Sequence, residues 1–503
     1  MDLRVQLSHT RIDHLAPQDA HLLVSLTPAA VTAEGRRPFD LVIVLDVSGS
    51  MDSAASPDEA GGPTKFQLVR EAALKLVENC TTADRVGIVA YASNVETLAP
   101  LDLLTDEHRL QISRKLAALR VGDTTNLCGG ASRALDLLSA LPAEEGRTRR
   151  VILMTDGLPN VGPRTMDEIC PVLAAKLDGQ TNITTMGFGA TGLYDPDLLA
   201  AISTFAAGNF YHAESPDGIL TAFAQELGAL RSIAATEVTV ALKHGRHADV
   251  MDVLNDCTVA PGDDETVIIE VGNLYGGATE HVVVHLKIAA AGQALPREML
   301  ACKVVVRGIE TAGGAFETEA KAHFRYVTPD EAETHPHPAV EAERLRIVAA
   351  RAVMEADAMA ARGDFAGARR TVFAVAAAAA AVPHDDAHGL AFALGAMGDD
   401  LGDGGRYAVR GAHLRAARAS LLGRRATGSV YTAGMYETPE QRRAEKDLGV
   451  RAPNAPPPAI MPPVMVPPMP VPEAHAQTGA LRPKTPTPDP TGKGPFKKRG
   501  SRW

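Results

Sequence analysis

Residues 38–230 alternate short apolar runs with amphipathic helical patterns, and this alternation constrains the fold most strongly. The apolar runs include DLVIVLD at residues 40–46, RVGIVAYA at residues 85–92 and RVILMTDG at residues 150–157. Strands that are apolar on both faces are typical of a parallel sheet covered by helices on each side. We therefore predict an α/β domain over this region, with a Rossmann-like, doubly wound parallel sheet.

After residue 230 the pattern changes to period two, as in TEVTVALK and EHVVVHLKI. Alternating strands separated by Gly, Pro and Asp turns predict an antiparallel β-sandwich over residues 231–328. Residues 1–37 contain similar stretches, such as DLRVQLSH, and we expect them to join the sandwich. The α/β domain is then inserted in the sandwich or followed by it.

The C-terminal part of the chain has helical and then proline-rich character. Residues 338–446 predict a helical region that begins with a hairpin, in which Gly363 ends one helix and Asp364 caps the next. Residues 447–503 are rich in proline and end in a basic segment, which predicts a disordered tail.

Polar side chains follow two of the apolar strands. Asp46, Ser48 and Ser50 stand in DVSGSM after the first strand, and Asp156 stands in TDG after a later one. Thr125 lies before a helix in GDTTN. Taken singly, Thr125 is most simply a helix cap and Asp156 a turn residue. Ligands of open α/β sheets bind at the carboxyl ends of strands, and hydroxyl and carboxylate oxygens suit Mg²⁺.

DVSGSM, TTN and TDG, in this order, resemble the metal-ion-dependent adhesion site of von Willebrand factor type A (VWA) domains. The resemblance covers the whole predicted α/β domain. It implies that Ser48 and Ser50 bind the metal directly and Thr125 directly or through water. It implies that Asp46 and Asp156 mainly hold waters, and that one open position accepts an Asp or Glu of a protein partner. Mg²⁺ is the expected ion, with Mn²⁺ or Ca²⁺ as alternatives.

The residues beside these ligands are expected to form the rim that contacts the partner; they are Met51, Asp52, Asn126 and Gly157. The loop over residues 51–63 is longer than is common in the family. Its acids Asp52, Asp58 and Glu59 are close enough in sequence to cap the metal, although a solvated surface loop is the simpler interpretation.

The rest of the chain also resembles known proteins. The segment VGNLYGGATEHVVVHLKI and the helical part after it are similar to the region that follows the VWA domain in inter-alpha-inhibitor-like proteins and in plant RING-finger proteins. The cysteines and histidines lack the paired spacing of a RING, so ligase activity is not expected.

These features predict a non-enzymatic scaffold that binds a protein partner through the metal. An adaptor subunit of a separate AAA+ ATPase is the alternative, and a metal-dependent hydrolase is disfavoured because no general base is evident near the site.

Charge and composition exclude several other classes. The net charge of −11 offers no general attraction to nucleic acid or to an anionic membrane. The longest apolar run, TVFAVAAAAAAV, is too short to span a bilayer. The N-terminus lacks the apolar core of a secretory signal, and the five cysteines are isolated. We therefore expect a cytoplasmic protein without a membrane span.

Overall fold

The first strands of the chain are β1 (Asp2–Leu7), β2 (Arg11–Asp13) and β3 (Gln18–Thr27). The computed structural model describes residues 1–448, apart from residues 32–35, 56–61, 143, 145, 190–192, 214–215, 256, 264, 293–297, 312, 403, 408–413, 415–416, 419–420 and 422–438. All but the first two residues of the predicted proline-rich tail therefore lie outside the described residues.

The α/β domain is built on one six-stranded sheet. Its strands are β4 (Phe39–Asp46), β5 (Arg85–Tyr91), β6 (Val95–Leu103), β7 (Thr148–Thr155), β8 (Thr181–Phe188) and β9 (Phe210–Ala213). Their order is β6-β5-β4-β7-β8-β9, with β6 antiparallel and the other pairs parallel.

Helices cover both faces of this sheet. They are α1 (Lys65–Glu78), α2 (Asp106–Ala118), α3 (Leu127–Ser139), α4 (Met166–Ala174), α5 (Pro196–Phe205) and α6 (Pro216–Arg231). Leu41 and Ile43 of β4 belong to the core under α1, α2 and α6, whereas Val42 and Val44 belong to the core under α3, α4 and α5. The predicted doubly wound α/β fold is thus confirmed.

The remaining strands form two further sheets. They are β10 (Ile233–His244), β11 (Ala248–Val253), β12 (Thr258–Pro261), β13 (Thr266–Tyr275), β14 (Glu280–Ile288), β15 (Met299–Glu310) and β16 (Ala315–Val327). One sheet has the order β1-β3-β14-β11 and the other β12-β13-β10-β15-β16-β2, and side chains from both share one core. Because β3 pairs with β14, the α/β domain lies in the chain between two parts of the sandwich. The exact domain boundaries stay a prediction.

The antiparallel prediction is wrong at one edge of the sandwich, where the short strand β2 runs parallel to β16. The chain leaves β1 in one sheet and crosses to the other sheet before β2 begins. β2 and β16 lie far apart in the chain, so no hairpin turn fixes their relative direction and they can pair in parallel.

The helical part contains α7 (Pro338–Ala361), α8 (Phe365–Ala380), α9 (Asp385–Asp400) and α10 (Pro439–Asp447). Gly363 adopts a φ of +85°, and the Asp364 carboxylate accepts the N–H of Gly367 at 2.8 Å, as the predicted hairpin requires. In the described part of the chain, no helix has the length and apolar character needed to cross a membrane.

The last described helix, α10, packs on α6 of the α/β domain. Ala444 and Leu448 are buried in the same core as α6, and they are spaced four residues apart on one face. A methyl group at Gly228 of α6 would lie only 2.5 Å from Cα of Gln441, so the close approach of the two helices needs glycine there. The sequence predicts α10 only as part of the C-terminal helical region, because α10 belongs to the same continuous stretch of the chain.

Glu226 fastens α6 to the sheet through a buried ion pair. Its carboxylate lies 3.2 Å from Nε of Arg150 in β7, and both side chains are almost fully buried. Three neutral groups donate to the same carboxylate, namely the hydroxyl of Thr184 at 2.8 Å, the amide of Asn209 at 2.9 Å and the hydroxyl of Tyr211 at 3.0 Å. Removing one charge of such a pair leaves the other buried without compensation.

We expect Glu226→Gln to lower the free energy of unfolding by about 3–5 kcal/mol, because the Arg150 guanidinium stays buried without its counter-charge. Urea denaturation followed by circular dichroism measures the change. Glu319→Gln, which breaks an exposed ion pair with Lys303, is the control and should have a far smaller effect. Equal effects of the two substitutions would contradict the prediction.

Helix α7 packs on β3 and β14 through an interface that contains histidines. Its apolar part consists of Leu23, Val283, Val340 and Ile347. His21 of β3 stacks on His285 of β14, with ring centroids 5.2 Å apart. Burial, together with the nearby Arg344 guanidinium and His285, lowers the pKa of His21 to about 4. The folded protein therefore keeps His21 neutral at pH values where the unfolded chain takes up a proton.

The stability that neutral His21 contributes is complete above about pH 6.5 and is lost as the pH falls towards 4. His21→Gln should therefore lose less stability than the wild type between these two pH values. Urea denaturation over a pH series measures the difference. His388→Gln, at an exposed position of α9, should follow the wild type. An unchanged pH dependence in His21→Gln would reject this role.

Candidate functional site

The carboxyl ends of the neighbouring strands β4 and β7 form the candidate site. β4 ends at Asp46, and Asp156 follows directly after β7. Because both strands are buried along their whole length, their ends hold the two carboxylates in a protected position. Asp46 and Asp156 are 0% and 1% exposed. Thr125 stands at the same edge, two residues before α3 begins.

The loop after β4 is folded back by its own polar groups. The N–H of Ser48 donates to Oδ1 of Asp46 at 2.8 Å, and Gly49–Asp52 form a 3₁₀ turn. This turn brings the hydroxyl oxygens of Ser48 and Ser50 to 3.1 Å from each other. The Ser50 hydroxyl also donates to Oδ1 of Asp156 at 2.6 Å. Ser50 thus bridges the loops that follow β4 and β7.

The hydroxyl of Thr125 reaches the same space. A methyl group at Gly157 would lie 3.4 Å from the hydroxyl oxygen of Ser50 and 3.5 Å from that of Thr125, so both hydroxyls flank one small cradle. The side chain of Asn160 holds Thr125 there, because its Oδ1 accepts the Thr125 N–H at 2.8 Å. All five side chains proposed as metal ligands or their supports therefore lie at one edge of the sheet, and their role as ligands stays a prediction.

Asp46 is surrounded by neutral hydrogen-bond donors. The Thr155 hydroxyl donates to Oδ2 of Asp46 at 2.6 Å, and the Tyr91 hydroxyl lies 3.3 Å from the same oxygen. Burial raises the pKa of Asp46 to about 6; hydrogen bonds from Ser48 and Thr155 oppose this rise, and the Asp156 carboxylate adds to it. A nearby cation favours the charged form of a buried carboxylate.

Asp156 has a cationic neighbour that the sequence did not reveal. Lys65 is the first residue of α1, and its ammonium lies 2.8 Å from Oδ2 of Asp156. The side chain of Lys65 is buried, although a lysine at a helix start ordinarily stands in solvent. Thr155 was also missed, and its position directly before Asp156 in TDG was the available signal.

The proposed rim residues differ in what their side chains do. Asp52 is exposed, as a rim residue should be. Met51 is 0% exposed and packs into the core beneath the 3₁₀ turn, so it offers no surface to a partner. The Asn126 side chain caps α3 by accepting the N–H of Gly129 at 3.0 Å. Gly157 lines the cradle described above. Two acids suggested as metal caps, Asp58 and Glu59, lie outside the described residues.

The donor set is chemically suited to a hard divalent cation. It combines three hydroxyls with two carboxylates at one edge, and oxygen donors of this kind bind Mg²⁺. Across the described ranges, no group of three or more His, Cys, Asp or Glu side chains is arranged to hold a metal ion. Any ion at the candidate site would therefore depend on the hydroxyl groups as well as on the carboxylates.

The strand order and the loops at the ends of β4 and β7 define the class of protein. Residues 41–158 match the family model of the von Willebrand factor type A domain. The chain contains a VWA domain.

Two solved structures share this fold. The von Willebrand factor type A protein from Catenulispora acidiphila has a TM-score of 0.60 and 18% identity, covering 78% of this chain and 89% of that one. The ArnB paralog VWA2 from Sulfolobus acidocaldarius has a TM-score of 0.54 and 17% identity, covering 85% of this chain and 99% of that one. At these identities the likeness concerns the fold alone.

Relatives by sequence include bacterial, plant and animal proteins. An uncharacterized Synechocystis protein is 26% identical over 56% of this chain and 62% of its own length. The E3 ubiquitin-protein ligase WAV3 of Arabidopsis thaliana is 22% identical over 65% of this chain and 41% of its own length. The human inter-alpha-trypsin inhibitor heavy chain H4 is 26% identical over 30% of this chain and 16% of its own length. The chain thus spans less than two thirds of each of these relatives.

We expect Thr155→Val to lower the free energy of unfolding by about 1–3 kcal/mol, because the buried Asp46 carboxylate loses its shortest hydrogen bond from a neutral donor. Urea denaturation in the presence of EDTA measures this loss without any contribution from metal. Thr155→Ser keeps the hydroxyl and serves as the matched control. If valine and serine have the same effect, the hydrogen bond to Asp46 does not stabilise the site.

Proposed function

We propose that the VWA domain binds a divalent cation, Mg²⁺ before Mn²⁺ or Ca²⁺, and through it the acidic side chain of a protein partner. Ser48 and Ser50 would hold the ion directly, Thr125 would hold it directly or through water, and Asp46 and Asp156 would mainly hold its waters. When bound, Mg²⁺ supplies a Lewis-acidic position that a carboxylate oxygen from another protein can complete.

The hydroxyl of Ser50 is the observation that supports this proposal best. It lies within hydrogen-bonding distance of both Ser48 and Asp156, although those residues follow two different strands. A purely structural loop after β4 would need no such bridge, since the Ser48 N–H already satisfies Asp46. Ser50 is also exposed, so an ion beside its hydroxyl can be reached by a partner.

Neutral hydroxyls in direct contact with the ion explain why an acidic partner would be preferred. Hydroxyl ligands leave more of the charge of the cation uncompensated than carboxylate ligands do. An incoming Asp or Glu then gains a strong charge-assisted contact in a partly buried site.

We propose further that the chain is a binding protein and not an enzyme, and that it works in the cytoplasm. The plant relative is an E3 ubiquitin-protein ligase, but the aligned part is only 41% of its length. The described cysteines are all free thiols, and Cys80, Cys128, Cys170 and Cys302 are buried, which suits a reducing compartment.

The test is an affinity purification with the full chain as bait, with Mg²⁺ or with EDTA. We expect Ser48→Ala/Ser50→Ala to lose the partners that the wild type retains only with Mg²⁺, and to bind Mg²⁺ about tenfold to a hundredfold more weakly or not at all. Isothermal titration calorimetry with MgCl₂ measures the metal affinity.

A matched control is Thr27→Ala/Thr279→Ala, which removes another pair of hydroxyls, 2.8 Å apart and exposed. This variant should behave as the wild type does. Equal recovery of the partners from every variant, with and without EDTA, would reject the proposal. Retention of an AAA+ ATPase only with Mg²⁺ would support the alternative in which the chain is an adaptor subunit of a separate AAA+ ATPase.

A further inference from the structure

Lys65 places a third charged group at the site, next to the carboxylate of Asp156. Its ammonium lies 2.8 Å from Oδ2 of Asp156, and the residue is only 8% exposed. An ammonium is taken out of water at a large cost unless it is paired and hydrogen-bonded. The pair with Asp156 supplies that compensation.

The start of α1 is an unfavourable position for the positive charge of Lys65. Lys65 is the first residue of α1, where the helix dipole repels positive charge, and the first turn of α1 contains no acidic residue. The most favourable place for a lysine on this helix is the last turn, which Lys75 occupies. The ion pair with Asp156 therefore offsets the unfavourable interaction between the Lys65 ammonium and the dipole of α1.

The backbone around Lys65 holds it in place. Its N–H donates to the carbonyl of Ser53 at 3.0 Å, and Thr64 and Gln67 cap the helix reciprocally. Gly189, directly after β8, borders the ammonium, since a methyl group there would be in van der Waals contact with Nζ of Lys65 at 3.4 Å. Lys65 is thus enclosed between the loop after β4 and the end of β8.

Both oxygens of the Asp156 carboxylate accept a hydrogen bond from another side chain of the protein. Oδ1 accepts the Ser50 hydroxyl at 2.6 Å, and Oδ2 accepts the Lys65 ammonium at 2.8 Å. Two carboxylates and one ammonium share the site, whereas the VWA pattern read from the sequence contained only the two carboxylates.

We propose that Lys65 is a built-in cation that competes with the divalent ion and so lowers the metal affinity of the site. This inference rests on the proposed metal-binding function. The ammonium neutralises part of the negative charge that attracts the ion, and it compensates Asp156 when no ion is bound. Both effects make the free energy of metal binding less favourable.

The experiment compares Lys65→Met with the wild-type full chain by isothermal titration calorimetry with MgCl₂ at neutral pH. We expect Lys65→Met to bind Mg²⁺ at least about tenfold more tightly, a change as large as those caused by residues that support metal ligands. Lys65→Arg keeps the charge and should stay close to the wild type. Lys75→Met removes a lysine of the same helix that pairs with Glu71 at the surface, and it should leave the affinity unchanged.

Thermal unfolding gives an independent readout. In EDTA, Lys65→Met should melt below the wild type, because Asp156 remains buried without its cation. Added MgCl₂ should raise its melting temperature more than it raises that of the wild type. Lys65→Gln, whose amide can still donate to Asp156, provides a second neutral variant should Lys65→Met fail to fold.

The possible outcomes separate the two proposals. Tighter Mg²⁺ binding by the neutral variants supports the role of Lys65. Equal or weaker binding by a folded neutral variant, while the wild type binds Mg²⁺, rejects that role and leaves the metal site intact. Lack of Mg²⁺ binding by the wild type and by every variant rejects the metal site and this inference together.

Discussion

Two buried carboxylates at the ends of adjacent parallel strands are the constraint on which the site depends. Asp46 and Asp156 are brought close together because β4 and β7 are neighbours in the sheet. Burial penalises both charges, so each carboxylate must be compensated by donors or by a cation. Asp46 receives neutral donors, and Asp156 receives Ser50 and Lys65. The loop conformations around the site follow from these requirements.

The same sheet also connects the site to the rest of the molecule. β7 ends at the site, and its residue Arg150 forms the buried pair with Glu226 of α6. α6 leads directly into β10 of the sandwich and carries α10 on its outer surface. The VWA domain is therefore attached to the sandwich by a helix whose position is held from inside by a charge pair and from outside by a segment near the C-terminus.

The strands and the doubly wound class could be predicted because burial on both faces requires apolar residues at every position. The five candidate site residues could be identified because DVSGSM, TTN and TDG are local patterns. Met51 could not be assigned correctly, since the side on which a loop residue is buried depends on what packs beneath it. Lys65 carried no local signal, because its partner Asp156 lies 91 residues further along the chain.

The amino-acid sequence by itself determined which segments are strands and helices, and which oxygen-bearing side chains stand at strand ends, because these properties depend on periodicity and on neighbouring residues. Only the tertiary structure decided that β2 runs parallel to β16, that α10 covers α6, and that a lysine shares the site with two aspartates. Those arrangements depend on contacts between residues far apart in the chain, where burial and charge pairing outweigh local preference.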